Sequence, residues 1–340
     1  MLAATANSTN ALGTKSANDF HVAACIAHPE HAGPILQHAF ALGKALDADV
    51  TLLQVLEEDR ASNRPDPIEW DLRRHEARRL LNEMASPPDA SMARANIHLT
   101  EGFRADEIQR FAHDHNGSLL VIGMQEPNAR RCRGIGGTIH HLLHSAAGYM
   151  LLVPCNGHMA PVTSYRRILV PVDGSTWAAS ALPLAVRLAQ ANNAELLLAH
   201  VIPPPELTET RPYDAADIAL REQVIERNQQ TADAYLERMR QYVADMQVRV
   251  RIISTQCKDV RAKLEQIIRA ENADLVIMSA RGHGLSANAD MPYGSVASYL
   301  MMHSPAPLLV IPATSGAAKA MARPSNGQAS EVRMPMFNQA

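Results

Sequence analysis

The sequence predicts two tandem α/β domains, each a doubly wound, mostly parallel sheet, and three observations carry that expectation. The chain has 340 residues, beyond the size at which one hydrophobic core usually stops growing. One succession of apolar runs and amphipathic stretches occurs twice along it. Within each copy short apolar runs alternate with helical periodicity, the order that puts crossover helices between parallel strands.

Taken in order, the first copy opens with an apolar run at His21, passes an amphipathic stretch and reaches a second run at Val50–Val55. The same succession returns 146 positions later, from Ile168 to the run Leu196–Val201. Both second runs are apolar on two faces, as strands covered on both sides should be. Leu182, Ala185 and Ala189 fall at i, i+3 and i+7, one face of a helix. Asp214–Met246 reads as a long helix with Val224, Ile225, Ala232, Tyr235, Leu236, Met239 and Val243 on its apolar side, and Val248–Ser254 as a third strand. Further on the copies match at an offset of 155. Ile108, Phe111 and Ala112, like Leu264, Ile267 and Ile268, mark helices that lead through Asn-containing turns into strands at Leu119–Ile122 and Leu275–Met278. Each copy ends on a helix and a last strand closed by Pro, MLLVP at 150–154 and PLLVIP at 307–312. The expected division is a disordered tail 1–19, a first domain 20–156, a linker 157–164, a second domain 165–314 and a disordered tail 315–340.

Composition narrows the function. A 46% hydrophobic and 20% charged chain can build a core. With 32 Lys and Arg against 35 Asp and Glu the net charge is −3, which excludes a strongly basic nucleic-acid binder. Cys25, Cys132, Cys155 and Cys257 contain no Cys-x-x-Cys pair, so zinc-finger and thioredoxin readings fail, and reduced cytosolic thiols are expected. The opening segment has one Lys and no apolar run, unlike a secretory signal. No window approaches eighteen consecutive apolar residues. A cytoplasmic protein with neither nucleic acid nor membrane as partner is the expectation.

Asp173, in ValProValAspGlySer at 170–175, ends the second copy's first strand. Such strand ends hold ligands in open parallel sheets. A carboxylate there accepts hydrogen bonds from an adenine amino group or a ribose hydroxyl; equally, it caps the helix that starts near Ser175. After the fourth strand, the loop from Ser279 contains Gly282, Gly284 and Gly294 and ends in Ser295-Val296 at a helix start. Glycines let the backbone approach a ligand, and helix amides donate to phosphate. The loop is neither a Walker A element nor GxGxxG. Arg73, Arg74, Arg78 and Arg79 read either as an anion site or as a solvated helix face paired with Glu76 and Glu83. His140, His141 and His144 include an i, i+4 pair but have no assignable third metal ligand.

With these motifs in place, both copies resemble the universal stress protein domain, and the whole chain resembles the family's tandem members. The resemblance implies an adenine nucleotide α-hydrolase-like fold. It also implies ATP held by an Asp after strand one and by a Gly-x-x-Gly, nine residues, Gly-Ser/Thr element after strand four. In the second copy the implied binding residues are Pro171, Val172, Asp173, Val201, Met278, Ser279, Gly282, Gly284, Gly294, Ser295 and Val296. Ser279 replaces the first glycine, and eleven residues rather than nine separate Gly282 from Gly294. The first copy departs further, with Ala27 in place of the Asp and Met124–Pro127 in place of the first glycines, although Gly137-Thr138 keeps the closing element. Its loop carries Arg130, Arg131 and Arg133, which offer an anion an alternative hold. Asp290, by its position in the loop alone, is a candidate to help hold an Mg2+ ion, which is what keeps slow ATP hydrolysis open.

The expected function is a cytosolic stress-response or regulatory protein and not an enzyme, slow ATP hydrolysis aside. ATP in the second domain would act as a conformational or assembly switch for a protein partner. The last strands would pair within the chain, and the whole chain is compatible with a homodimer. The alternative is an assembly module in which both sites are degenerate and no nucleotide binds.

Overall fold

The computed structural model describes residues 20–57, 66–87, 94–115, 118–124, 135–155, 162–205, 214–283 and 292–312. Both expected tails, most of the linker, the loop with Arg130, Arg131 and Arg133, and the segment with Gly284 and Asp290 lie outside the described residues.

The first half runs β1 (His21–Cys25), α1 (Ala32–Leu46), β2 (Asp49–Leu56), α2 (Pro67–Met84), β3 (Asn96–Glu101), α3 (Arg104–Asp114), β4 (Ser118–Met124), α4 (Gly137–His144) and β5 (Tyr149–Pro154). The second runs β6 (Arg167–Pro171), α5 (Thr176–Ala179), α6 (Leu182–Asn192), β7 (Glu195–Ile202), α7 (Ala215–Asp245), β8 (Arg249–Gln256), α8 (Val260–Ala270), β9 (Leu275–Ser279), α9 (Ser295–His303) and β10 (Leu308–Ile311). The repeat reaches the backbone: Asp47 and Asn193, 146 residues apart, end α1 and α6 in the same left-handed conformation, each at φ 51°. Both residue types tolerate that region better than most.

The strands form one ten-stranded sheet in the order β3-β2-β1-β4-β5-β10-β9-β6-β7-β8. Neighbours are parallel except β5 and β10, which run antiparallel with Leu308 opposite Leu152 and Val310 opposite Met150. Each half therefore has the doubly wound order 3-2-1-4-5, reversing between its first and fourth strands. Alternate strand residues feed two cores. One holds Val22, Val170 and Leu198 against α1, α6 and α7; the other holds Ala23, Leu169 and Leu197 against α3, α4, α8 and α9.

The halves also meet beside the sheet. α1 packs on α6, and the Arg187 guanidinium donates to the Leu46 carbonyl at 3.0 Å while lying 5.0 Å from the Phe20 ring centre. His38 Nδ1 is 2.9 Å from the Tyr165 hydroxyl, and both residues are buried. A polar pair this deep must satisfy itself. Burial pushes the His38 imidazole down to about 4 and raises the Tyr165 phenol.

Three local expectations change. The stretch after β6 is two helices, because Pro183 in the first turn of α6 cannot donate to a preceding carbonyl. The first half has a third strand, β3, at an edge whose mixed exposure left little periodic signal. The arginines of α2 are surface pairs, but their partners differ from those expected: Arg73 meets Glu69 at 2.6 Å, Arg74 meets Asp71 and Glu101, and only Arg79 keeps Glu83.

Candidate functional site

The second half's crevice opens where β6 and β9 part. They pair at Ile168–Leu275 and Leu169–Val276, and the chain beyond them frames a cavity of about 430 Å3. Pro171, Val172, Asp173, Val201, Met278, Ser279, Gly282, Gly294, Ser295 and Val296 all line it. The tenfold convergence follows from topology, since the carboxyl ends of β6, β7 and β9 share one edge of the sheet.

At its centre the Asp173 carboxylate ties two loops together. Oδ1 accepts from the Ser175 amide at 3.0 Å and its hydroxyl at 2.6 Å, while Oδ2 accepts from the His283 amide at 2.7 Å. The capping alternative is corrected here: Ser175 is the N-cap of α5, accepting from the Ala178 amide at 3.0 Å, and Asp173 holds the cap. A Cβ at Gly282 would lie 2.3 Å from Asp173 Oδ2, so with a larger residue there either the carboxylate or the loop after β9 must shift. Asp173 is exposed, and each carboxylate oxygen accepts about two hydrogen bonds, so Oδ2 keeps capacity for another donor.

The rest of the wall is apolar on one side and rich in donors on the other. Val172, Val201 and Met278 are buried, and Leu264 of α8 lies beside them. Opposite stands the first turn of α9, capped by Gly294, whose amide donates to the Ala280 carbonyl at 2.7 Å. Its exposed first residue, Ser295, and the helix amides make an electropositive end. Ser279, in the place of the family's first glycine, is buried and accepts from the Arg281 amide at 3.3 Å. The sequence reading missed Tyr293, Val260 and Leu264. Val260 and Leu264 were legible as an i, i+4 apolar pair of α8, whereas nothing in the sequence singled out Tyr293.

One residue before Val201, His200 faces the other side of the sheet, its ring T-shaped against Tyr235 with 6.2 Å between centres. Burial lowers the His200 pKa, against the pull of the Asp173 and Asp233 carboxylates. Burial, then the Asp173 charge, pushes Tyr235 up to about 12.

The first half has a larger crevice of about 920 Å3, lined by Ala27, Gly137 and Thr138 and closed by Met301, Met302 and His303 from α9 of the second half. Position 27 supplies no carboxylate. Buried Cys25 on its floor has its thiol pushed up to about 12 by burial. His140 and His144 sit 6.4 Å apart between ring centres, and among the described residues no three His, Cys, Asp or Glu side chains are grouped to hold a metal ion. Among the described residues no helix is long and apolar enough to cross a membrane.

Comparison with known proteins agrees with this architecture. The profile described as the universal stress protein family matches residues 21–154 and again 164–312. A universal stress protein from Archaeoglobus fulgidus DSM 4304 superposes with a TM-score of 0.63 at 19% identity, over 86% of this chain and 98% of its own. A functionally unknown protein from Pseudomonas aeruginosa PAO1 gives 0.57 at 13% identity, over 90% and 96%. In sequence, a Staphylococcus aureus (strain USA300) protein provisionally named a universal stress protein is 28% identical over 158 residues, 44% of this chain and 84% of its own. With both halves matched by one profile and the tandem α/β architecture shared with these structures, the chain belongs to the universal stress protein family and carries two of its domains in series.

Proposed function

We propose that the second domain binds an adenine nucleotide in the crevice between β6 and β9, and that occupancy acts as a conformational or assembly switch in a cytoplasmic stress response. The observation that carries this reading is the convergence of a carboxylate, an apolar slot and a helix N-terminus on one cavity of about 430 Å3, within the range of small-molecule sites. The slot of Val172, Val201, Leu264 and Met278 suits the faces of a purine. Asp173 suits an amino or hydroxyl donor, and the first turn of α9 suits phosphate. ATP satisfies all three, with magnesium arriving on its phosphates. The reading is of binding without turnover. The first domain, with Ala27 for the carboxylate, holds no nucleotide and serves as the structural partner.

Calorimetric titration of Mg-ATP into nucleotide-free protein tests this, with Asp173→Ala and Gly294→Val beside the parent. One-site binding that both substitutions abolish is the expected result. A folded parent that takes up no ATP at millimolar concentration would overturn the reading and leave the tandem fold as an assembly surface for a protein partner.

A further inference from the structure

The first domain reaches the second domain's crevice through one aromatic contact. Tyr293, immediately before Gly294, lines the 430 Å3 cavity and is 7% exposed. The ring it meets belongs to the other half of the chain. His140 on α4 stands T-shaped against it, with 5.9 Å between ring centres and an interplanar angle of 87°. Edge-to-face aromatic pairs prefer this geometry. The contact sits where the loop rejoins regular structure: the next amide, Gly294, donates to Ala280 at 2.7 Å, and α9 begins one residue later.

The exchange runs in both directions. The first turn of α9 lines the second crevice through Ser295, Val296 and Ser298, while its last turn, Met301 to His303, closes the first. Likewise α4 lends Gly137 and Thr138 to the first crevice and His140 to the loop of the second. Antiparallel pairing of β5 with β10 brings the two helices together at the junction.

We infer that His140 of the first domain is a positioning residue for the second domain's site, acting through Tyr293 to fix the loop end from which Gly294 and Ser295 face the ligand. The inference rests on the nucleotide reading for the identity of the ligand, and on geometry alone for the positioning. It gives the first domain a task that needs no ligand of its own. His140 lies on a helix face rather than in a crevice, so losing nucleotide contacts at Ala27 costs it nothing.

Two readouts test it on the full chain: calorimetric Mg-ATP affinity, and hydrogen exchange of the Gly294 and Ser295 amides without nucleotide. His140→Ala is expected to weaken ATP binding about two- to tenfold, the range of an edge-to-face pair, and to accelerate Gly294 exchange by a similar factor. His140→Phe, which keeps a ring in place, restores both to within about twofold. His141→Ala, on the same helix but turned to Gln109 and Asp106, leaves both unchanged. Unaltered exchange in His140→Ala, or an equal effect in His141→Ala, overturns the inference. A parent that binds no ATP removes the nucleotide reading alone, and the amide exchange then decides whether His140 holds Tyr293.

Discussion

Two crevices occupy equivalent places in the two halves, and their difference shows what a ligand site demands beyond a fold. Both lie at the reversal of strand order. In the first, β1 and β4 stay paired through five positions, from His21–Ser118 to Cys25–Ile122. In the second, β6 and β9 pair at two, and a carboxylate bridges the loops that part there. The first retains a closing Gly-Thr and a larger cavity. At the position that Asp173 holds in the second half, the first has Ala27 and so no acid to bridge two loops. On the proposed reading the smaller crevice is the binding one, distinguished by its convergent polar groups and not by its volume.

The sharpest way to break this comparison is at Gly282. A Cβ there would meet Asp173 Oδ2 at 2.3 Å, so Gly282→Ala must displace the carboxylate or the loop and disturb the hydrogen bond from the His283 amide. The expected loss is about 1–3 kcal/mol of stability, as for overpacking elsewhere, together with loss of nucleotide binding. Urea unfolding and ATP titration measure the two effects. Full ATP binding by Gly282→Ala would mean that the Asp173–loop clamp is not what shapes the site.

The contact that joins the halves titrates. His38 falls to about 4 when folded and returns near 6.5 when unfolded, so between those values the unfolded chain binds the extra proton. Stability is therefore complete above about pH 6.5, drains as pH falls toward 4, and levels off below, with a loss on the order of 3 kcal/mol from this group. His21 and His200, both lowered mainly by burial, push the same way. His38→Gln cannot titrate and should flatten part of the slope in unfolding measured from pH 7 to 4. An unchanged slope would place the acid sensitivity outside the junction.

Asp173→Asn addresses the clamp more gently than Gly282→Ala. The amide oxygen can still accept from Ser175, but the His283 amide loses a charged acceptor at 2.7 Å. Because Asp173 is exposed, solvent screens the charge and the expected cost is about 1 kcal/mol. Nucleotide affinity should fall more than stability does. Equal stability and affinity losses across Asn and Ala variants would reduce Asp173 to a loop fastener.

Much of this was readable in the sequence, for reasons particular elements make plain. The duplication survives as periodicity because Leu182, Ala185 and Ala189, or Leu264, Ile267 and Ile268, must all face one core. Asp173, Gly282 and Gly294 were legible through the spacing of a family motif on a strand end. Elsewhere the signal was absent or ambiguous. β3 is an edge strand with mixed exposure, and Ser175 rather than Asp173 caps α5 because the cap is decided by one hydroxyl's reach. Tyr293 with His140 escaped altogether: 153 residues apart, they meet only because β5 pairs antiparallel with β10. Local patterns encode elements, whereas contacts between halves depend on how the finished sheets join.

The smallest expected effect lies in the first crevice. Gly137→Ala places the same methyl group there, at the closing Gly-Thr that corresponds to Gly294-Ser295 rather than at the counterpart of Gly282. Here nothing lies within 4 Å of the added Cβ, and the position is the first residue of α4. Alanine restricts the unfolded chain more than glycine does and favours helix, so stability should rise by about 0.4–1 kcal/mol. One substitution, two crevices and opposite signs would mark which loop is packed on a partner and which is open. A loss of more than about 1 kcal/mol on urea unfolding, outside the surface range, would mean that the first crevice closes on Gly137 as tightly as the second closes on Gly282. The two sites would then differ in chemistry alone, with Ala27 for Asp173 as the decisive change.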